Sequence, residues 1–276
     1  MTDMTKALEG FPKGELMKGK KGLIMGVANK NSIAWAIARQ LAAQGAEIAF
    51  TYQGDALLRR VKPLAESIGS DILCECDVTD DATMDSTFAT LKEKFGKIDF
   101  LVHAIAFAGK DQLAGSFVDN TTREGFKSAL DISAYSFVDA ARRASEMMND
   151  GGSMVTLTYL GSERVIPNYN VMGVAKAALE ASTRYIAADL GPRGIRVNAI
   201  SAGPIKTLAA AGIGSGFNKA ASAMQDHTDP AGVAGAALYL LSDLGLSCTG
   251  ETHHVDGGFH AIGMPQEEPL RASLEE

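Results

Sequence analysis

Seven short, mostly apolar runs alternate with amphipathic stretches between Gly22 and Val255, and this rhythm constrains the fold more than any other feature of the chain. The runs are GLIMGV (22–27), AEIAFTY (46–52), DILCECD (71–77), IDFLVHAIA (98–106), SMVTLTYL (153–160), IRVNAISA (195–202) and a shorter one, ETHHVDGG (251–258). Runs that are apolar on both faces suit a parallel sheet covered by helices. Stretches with helical spacing fill the gaps, notably 32–44, 125–148 and 172–190. Strand and helix alternating this regularly predict an α/β fold, a doubly wound parallel sheet with helices on both faces. No composition break separates a second part. The expectation is one domain over 1–276, with its core at 20–264 and polar extensions at both ends. A chain of 276 residues is long for a domain but normal for one α/β unit with one large core.

Composition excludes several classes. The net charge of −7, from 26 basic and 33 acidic residues, argues against a nucleic-acid binder. The one compact basic run, Lys18 to Lys21, directly precedes the first strand and reads as a solvated edge. No apolar run approaches the ~20 residues of a membrane helix. The N-terminal stretch lacks the apolar core of an export signal, which predicts a cytoplasmic location. Cys74, Cys76 and Cys248 fit neither a common zinc pair nor a disulfide framework, and no metal is expected. They read as small strand-filling residues in a reducing compartment.

Two residues suggest chemistry. Tyr169 and Lys176 lie seven positions apart in YNVMGVAK, close to two helical turns, so a phenol and an ammonium share one helix face. Many short-chain dehydrogenases instead carry Tyr-x3-Lys, with a Ser thirteen residues before the Tyr. Counted back from Lys176, those places hold Met172 and Tyr159. The usual carbonyl-reducing arrangement is therefore absent, and a second Tyr occupies the place of the Ser. Simple packing would also explain two tyrosines near a helix start; Lys176 and the strand ends described next weigh against it.

Ligands of a doubly wound sheet sit at the carboxyl ends of its strands, where the strand order reverses. The first strand runs into GVANKNSIA. There Gly26 permits a tight turn and close backbone approach, and Ser32 can cap the next helix while its first N–H groups face a pyrophosphate. A lone glycine after a strand more often marks just a turn, so this piece alone does not establish a cofactor site. Gln53 ends the second strand, where such folds read the adenosine ribose. Being neutral, it tolerates a 2′-hydroxyl and offers no charge to a 2′-phosphate, which predicts NADH over NADPH. Asp77, at the end of the third strand with Val78, is either an acceptor for the adenine amino group or a helix cap. HAIAFAG after the fourth strand is small and apolar enough for a ring to lie against it, and His103 there reads as a hydrogen-bonded core histidine.

With these pieces in register, the chain closely resembles the bacterial NADH-dependent enoyl-[acyl-carrier-protein] reductases, a divergent branch of the short-chain dehydrogenase/reductase family. The resemblance runs from Lys20 to Met264. It is carried by GVANKNSIA, FTYQ, CDV, TREGFKSALDISAYSF, RVNAISAGPIKTLAA and HHVDGGF, and above all by YLGSERVIPNYNVMGVAKA. It implies a Rossmann-type fold with a short substrate lid after the sixth strand, NADH or NAD as cofactor, an enoyl thioester on acyl carrier protein as substrate, and a homotetramer. It also implies that Gly26, Ser32, Ile33, Gln53, Asp77, Val78, Ile105 and Lys176 contact the dinucleotide, together with Ile205, Lys206, Thr207, Leu208 and Ala209. Tyr159, Tyr169 and Lys176 would carry catalysis, and Ala108 would touch substrate. Ala104 and Ala106 stand where family members commonly have Ser and Gly, and the segment between Gly212 and Val233 is a few residues shorter than usual. In the implied reaction a neutral Tyr169 would stabilise an enolate oxygen, and Lys176 is expected to pull the Tyr169 pKa down. Two alternatives remain open: a reductase of other enoyl thioesters or of carbonyls, and a non-catalytic dinucleotide sensor on the same fold.

Overall fold

The rhythm of apolar runs becomes one sheet of seven parallel strands in the order β3-β2-β1-β4-β5-β6-β7. The strands are β1 (Lys21–Met25), β2 (Glu47–Tyr52), β3 (Leu73–Glu75), β4 (Ile98–His103), β5 (Met148–Thr158), β6 (Arg196–Ala202) and β7 (Thr252–Val255). The helices are α1 (Asp3–Ala7), α2 (Ile33–Ala43), α3 (Gly54–Ser67), α4 (Asp81–Phe95), the short α5 (Lys110–Leu113) and α6 (Phe117–Asn120), α7 (Arg123–Leu130), α8 (Ser136–Met147), α9 (Asn170–Leu190) and α10 (Pro230–Leu241). This computed structural model describes residues 3–205, 221–226 and 228–264. Lys206, Thr207, Leu208 and Ala209, most of the expected lid and the polar tail after Met264 lie outside the described residues.

Side-chain alternation along each strand explains the layering. In β1, Ile24 enters one apolar layer with Trp35 and Ile37 of α2, Val61 of α3 and Val233 of α10. Leu23 and Met25 enter the opposite layer, with Met84 of α4, Phe137 of α8 and Leu179 of α9. The chain winds outward from β1 to β3, then returns to β4 on the other side of β1. That reversal opens a crevice at the carboxyl ends of β1 and β4.

Three elements differ from the sequence reading, each for a physical reason. The expected helix over 125–148 is interrupted by a π turn, Asp131–Tyr135, between α7 and α8. There the Ser133 hydroxyl accepts from the Phe107 N–H at 2.9 Å, and Ser136 donates to the Ile132 carbonyl at 2.6 Å. Strand β5 starts at Met148 rather than Ser153, because Met148 pairs with Ile98 across a register shift. Strand β7 stops at Val255, since the Asp256 carboxylate accepts from the N–H groups of Gly258 and His260 and turns the chain. The lysines leading into β1 pair as a solvated edge should: Lys18 with Glu15, Lys20 with Asp243 and Lys21, the first residue of the strand, with Glu47. All three cysteines are free thiols, with Cys74 and Cys76 buried. Among the described residues no helix is long and apolar enough to cross a membrane, and no cluster has the makings of a metal site.

Candidate active site

The crevice is a cavity of about 370 Å³ lined, among others, by Gly26, Gln53, Asp77, Val78, Ile105 and Phe107. Its closest approach is at Gly26. The residue adopts φ +98°, and a Cβ there would lie 2.2 Å from the Ala104 carbonyl oxygen, so only glycine allows β1 and β4 to end this close together. Across the cavity, Gln53 donates to Asp77 at 2.7 Å. Asp77 also accepts from the Thr79 N–H and hydroxyl, and these bonds hold its carboxyl below its ordinary pKa. Asp77 is therefore no helix cap; Asp80 caps α4 by accepting from the Ala82 N–H.

Ser32 corrects a detail. Its backbone stands at the N-cap of α2, but its hydroxyl folds back to accept from the N–H groups of Ala28 and Asn29, at 3.0 and 3.1 Å. It braces the loop rather than the helix, and the first helical N–H groups receive no side-chain cap. Ser32 and Ile205 line a second cavity of about 510 Å³ with Lys30 and Arg39. Ile33 lines neither cavity and packs against the apolar layer instead.

The other half of the site forms at the end of β5. Register pairs His103 with Thr156. One residue further along each strand lie Ala104, which lines the crevice, and Leu157, whose carbonyl accepts a 2.7 Å bond from Lys176 Nζ. His103 is fully buried, with its ring nitrogens against Thr156 and Ser136. Burial first, and then Lys176, drive its pKa down to about 3, so it is a neutral structural group as expected. Lys176 is itself buried, which brings its pKa down to about 8 against the opposing pull of Glu180.

Tyr169 and Tyr159 meet edge to face, with ring centroids 5.0 Å apart at 72°. Tyr169 precedes α9 between Asn168 and Asn170, both at positive φ (60° and 40°), a region that Asn tolerates better than most residues. Burial pushes the Tyr169 phenol above its usual range, and Tyr159 and Glu180 add to the shift. This overturns the expected lowering by Lys176. One N–H of the ammonium goes to the Leu157 carbonyl, and burial sets the direction of the Tyr169 shift. The result keeps Tyr169 a neutral donor. Burial, with help from Asp256, also pushes Tyr159 up to about 12. Among the described residues the buried Tyr159 hydroxyl has no hydrogen-bond partner, a costly state that a ligand acceptor would relieve. Ala108 packs in the same apolar cluster as Tyr169, with Val171, Met172 and Phe126.

Sequence reasoning missed several contributors. Phe107 and Ile132 line the crevice, Ser133 pins Phe107, and Glu180 lies one turn beyond Lys176. Phe107 follows a strand end that had already been singled out. Ser133 and Glu180 carry no local signal, because their partners are distant in sequence.

The crevice at the strand reversal, the glycine at its narrowest point and the Tyr–Tyr–Lys cluster beside it define a nicotinamide-dependent reductase of the short-chain dehydrogenase type. A family model described as enoyl-(acyl carrier protein) reductase matches residues 26–260, and the chain belongs to that family. It is 60% identical over 254 residues to enoyl-[acyl-carrier-protein] reductase [NADH] 1 of Rhizobium meliloti strain 1021, covering 90% of this chain and 93% of that protein. It is 50% identical over 258 residues to the NADH enoyl-[acyl-carrier-protein] reductase FabI of Escherichia coli K12, covering 91% and 98%. Among solved structures, the enoyl-(acyl-carrier-protein) reductase of Anaplasma phagocytophilum in complex with NAD superposes with a TM-score of 0.89 at 51% identity, covering 93% of this chain and all of that one.

Proposed function

We propose that Tyr159, Tyr169 and Lys176 carry out the reduction of the trans-2 double bond of an enoyl thioester on acyl carrier protein. The chain is an NADH-dependent enoyl-[acyl-carrier-protein] reductase, an oxidoreductase of fatty acid biosynthesis. The residues fit the dinucleotide. Gly26 lets the ends of β1 and β4 close up beneath the crevice where any Cβ would strike the Ala104 backbone, Gln53 and Asp77 form a neutral-and-acidic pair where an adenosine would lie, and Val78 and Ile105 offer apolar walls. Lys176, held by the Leu157 carbonyl one residue beyond the β5 register partner of His103, would hold the nicotinamide ribose. When bound, NADH supplies the hydride that reaches C3 of the substrate.

The chain's own part begins with the negative charge that then develops on the thioester oxygen. Tyr169, kept neutral by burial, donates a hydrogen bond to that oxygen. The proton for C2 arrives through Tyr169 or through water. Tyr159 shapes the pocket and offers the carbonyl a buried hydroxyl that has no partner among the described residues. The apolar cluster around Ala108 and Tyr169 receives the acyl chain, and Phe107 and Ala106 narrow the floor. Ile205, Lys206, Thr207, Leu208 and Ala209 belong to the proposed cofactor contacts by resemblance, as do Ser32 and Ile33.

The observation that carries this reading is the Tyr–Tyr pair packed at the strand end that holds Lys176. A carbonyl reductase of this fold would have Ser and Tyr at positions 159 and 172, and a sensor would need no paired phenols. We place the protein in the cytoplasm as one catalytic domain and as a homotetramer. Exposed Tyr135 and Val174, and Tyr185 at 77% exposure, are apolar surface suited to subunit contacts. The test is NADH consumption with crotonyl thioesters of carrier protein and of coenzyme A, beside a ketone. Consumption with the thioesters and none with the ketone supports the reading. A ketone-only response identifies a carbonyl reductase, and silence with all three a sensor.

A further inference from the structure

Helix α9 carries a buried carboxylate that the reaction scheme leaves unused. Glu180 is 7% exposed and lies one turn beyond Lys176. Its Oε1 accepts from the Thr158 hydroxyl at 2.6 Å and from the Ser162 hydroxyl at 2.5 Å. Thr158 ends β5, and Ser162 ends the single 3-10 turn that follows, Leu160–Ser162. Tyr159 lies between these two anchors. One residue earlier, the Leu157 carbonyl accepts from Lys176. Helix α9 is therefore stitched to residues 157–162 at three places by two side chains. Close backbone packing completes the seam, since a Cβ on Gly173 would lie 2.5 Å from the Gly161 carbonyl oxygen.

A buried carboxylate is costly unless it is needed and satisfied. Structural satisfaction alone would be met by an amide or a hydroxyl at this place. What the carboxylate adds is strong acceptor bonds to both sides of Tyr159 and a negative charge on the helix face of Lys176. We propose that Glu180 is a positioning residue for the reduction: it locks Tyr159 against Tyr169 through Thr158 and Ser162, and it supplies the buried countercharge to Lys176. It touches neither substrate nor cofactor. The proposal rests on the assignment of Tyr159, Tyr169 and Lys176 to the reaction.

The charged and titratable neighbours of this patch are few among the described residues. His103 on β4 is neutral, Tyr159 and Tyr169 are neutral phenols, and Asp256 after β7 acts on Tyr159. Glu180 is the group whose charge opposes the effect of burial on Lys176. Removing it should let Lys176 lose its proton at lower pH.

Three variants separate charge from anchoring. Glu180→Gln keeps an oxygen acceptor and removes the charge. Thr158→Val and Ser162→Ala remove one anchor each and keep the charge. Each is assayed with NADH and crotonyl thioester across the alkaline range, with circular dichroism as the check on folding. For Glu180→Gln we expect kcat to fall roughly tenfold or more, KM for the thioester to change little, and the alkaline limb of kcat/KM to move about one pH unit toward acid. For the anchor variants we expect kcat to fall with the alkaline limb in place. A Glu180→Gln protein with wild-type kcat and an unshifted profile overturns the countercharge role. If that variant does not fold, the combined Thr158→Val, Ser162→Ala protein decides: a folded protein with wild-type kcat overturns the positioning role. Wild-type protein inactive on every enoyl thioester overturns the underlying reading, and the variants need not be made to see it.

Discussion

At residue scale, the behaviour of Tyr169 is set by burial rather than by charge. A phenol beside a lysine suggests an acidified donor, yet the structure raises its pKa. A neutral, firmly protonated phenol is the better partner for a developing enolate, because it enters the reaction as a donor and gains strength as charge appears. Replacing Tyr169 with Phe should therefore lower kcat about 100- to 1,000-fold, in the range typical of losing one oxyanion donor. KM for NADH should change little, and Tyr159→Phe should cost clearly less. Steady-state kinetics on crotonyl thioester checks both, and near-normal turnover by the Tyr169 variant would remove it from this role. Cofactor choice also lives at this scale. Gln53 is held by Asp77 and brings no positive charge to a ribose 2′-phosphate. Wild-type protein should favour NADH, and Gln53→Arg should move the kcat/KM ratio toward NADPH. Higher wild-type efficiency with NADPH would contradict this account of the second strand end.

At the scale of elements, the site is a junction between β5, the turn after it and α9. Gly161 is the tightest point: a Cβ there would lie 2.3 Å from the Tyr169 ring. Its φ is not in the left-handed region, so Gly161→Ala strains the ring contact and not the backbone. The expected outcome is a folded protein with near-wild-type unfolding in urea and kcat down about 100-fold, the scale on which small misplacements act. A folded Gly161→Ala protein with full kcat would show that Tyr169 need not stand where it does. Sequence reasoning reached the elements of this junction because helix and strand periods are local. The spacing of Tyr169 and Lys176 declared a shared helix face, and apolar runs declared strands. It did not reach the seam itself. The bonds of Glu180 to Thr158 and Ser162, and of Ser133 to Phe107, join residues between 18 and 26 positions apart, and nothing in their own neighbourhoods announces them. The π turn was hidden for the same reason, since its cause is a contact with a distant loop. Ser32 shows the opposite failure: the cap position was legible, but two nearby N–H groups competed for its hydroxyl.

At the scale of the whole molecule, the doubly wound topology was legible from alternation alone, and it placed every strand-end candidate on one rim of the sheet before any side chain was seen. Stability at this scale should carry the mark of His103. Its pKa falls from 6.5 to about 3 on folding, so between those values the unfolded chain binds a proton that the native protein does not. Stability contributed by this group is complete above pH 6.5 and is lost as pH falls toward 3, by at most about 1.4 kcal/mol per pH unit. Urea unfolding at pH 7, 6 and 5 should show that decline, and a His103→Asn protein should show a shallower one; equal slopes would mean that His103 titrates normally in the native state. The central claim concerns the whole assembly of crevice, tyrosines and lysine: that it moves hydride to C3 of an enoyl thioester and a solvent-derived proton to C2. The most direct measurement is one round of reduction of crotonyl-carrier protein with NADH deuterated at both C4 positions, followed by mass spectrometry and NMR of the acyl product. The account predicts a saturated butyryl thioester with one deuterium at C3 and none at C2. Deuterium at C1, at C2, or an unreduced crotonyl group beside consumed NADH would contradict it.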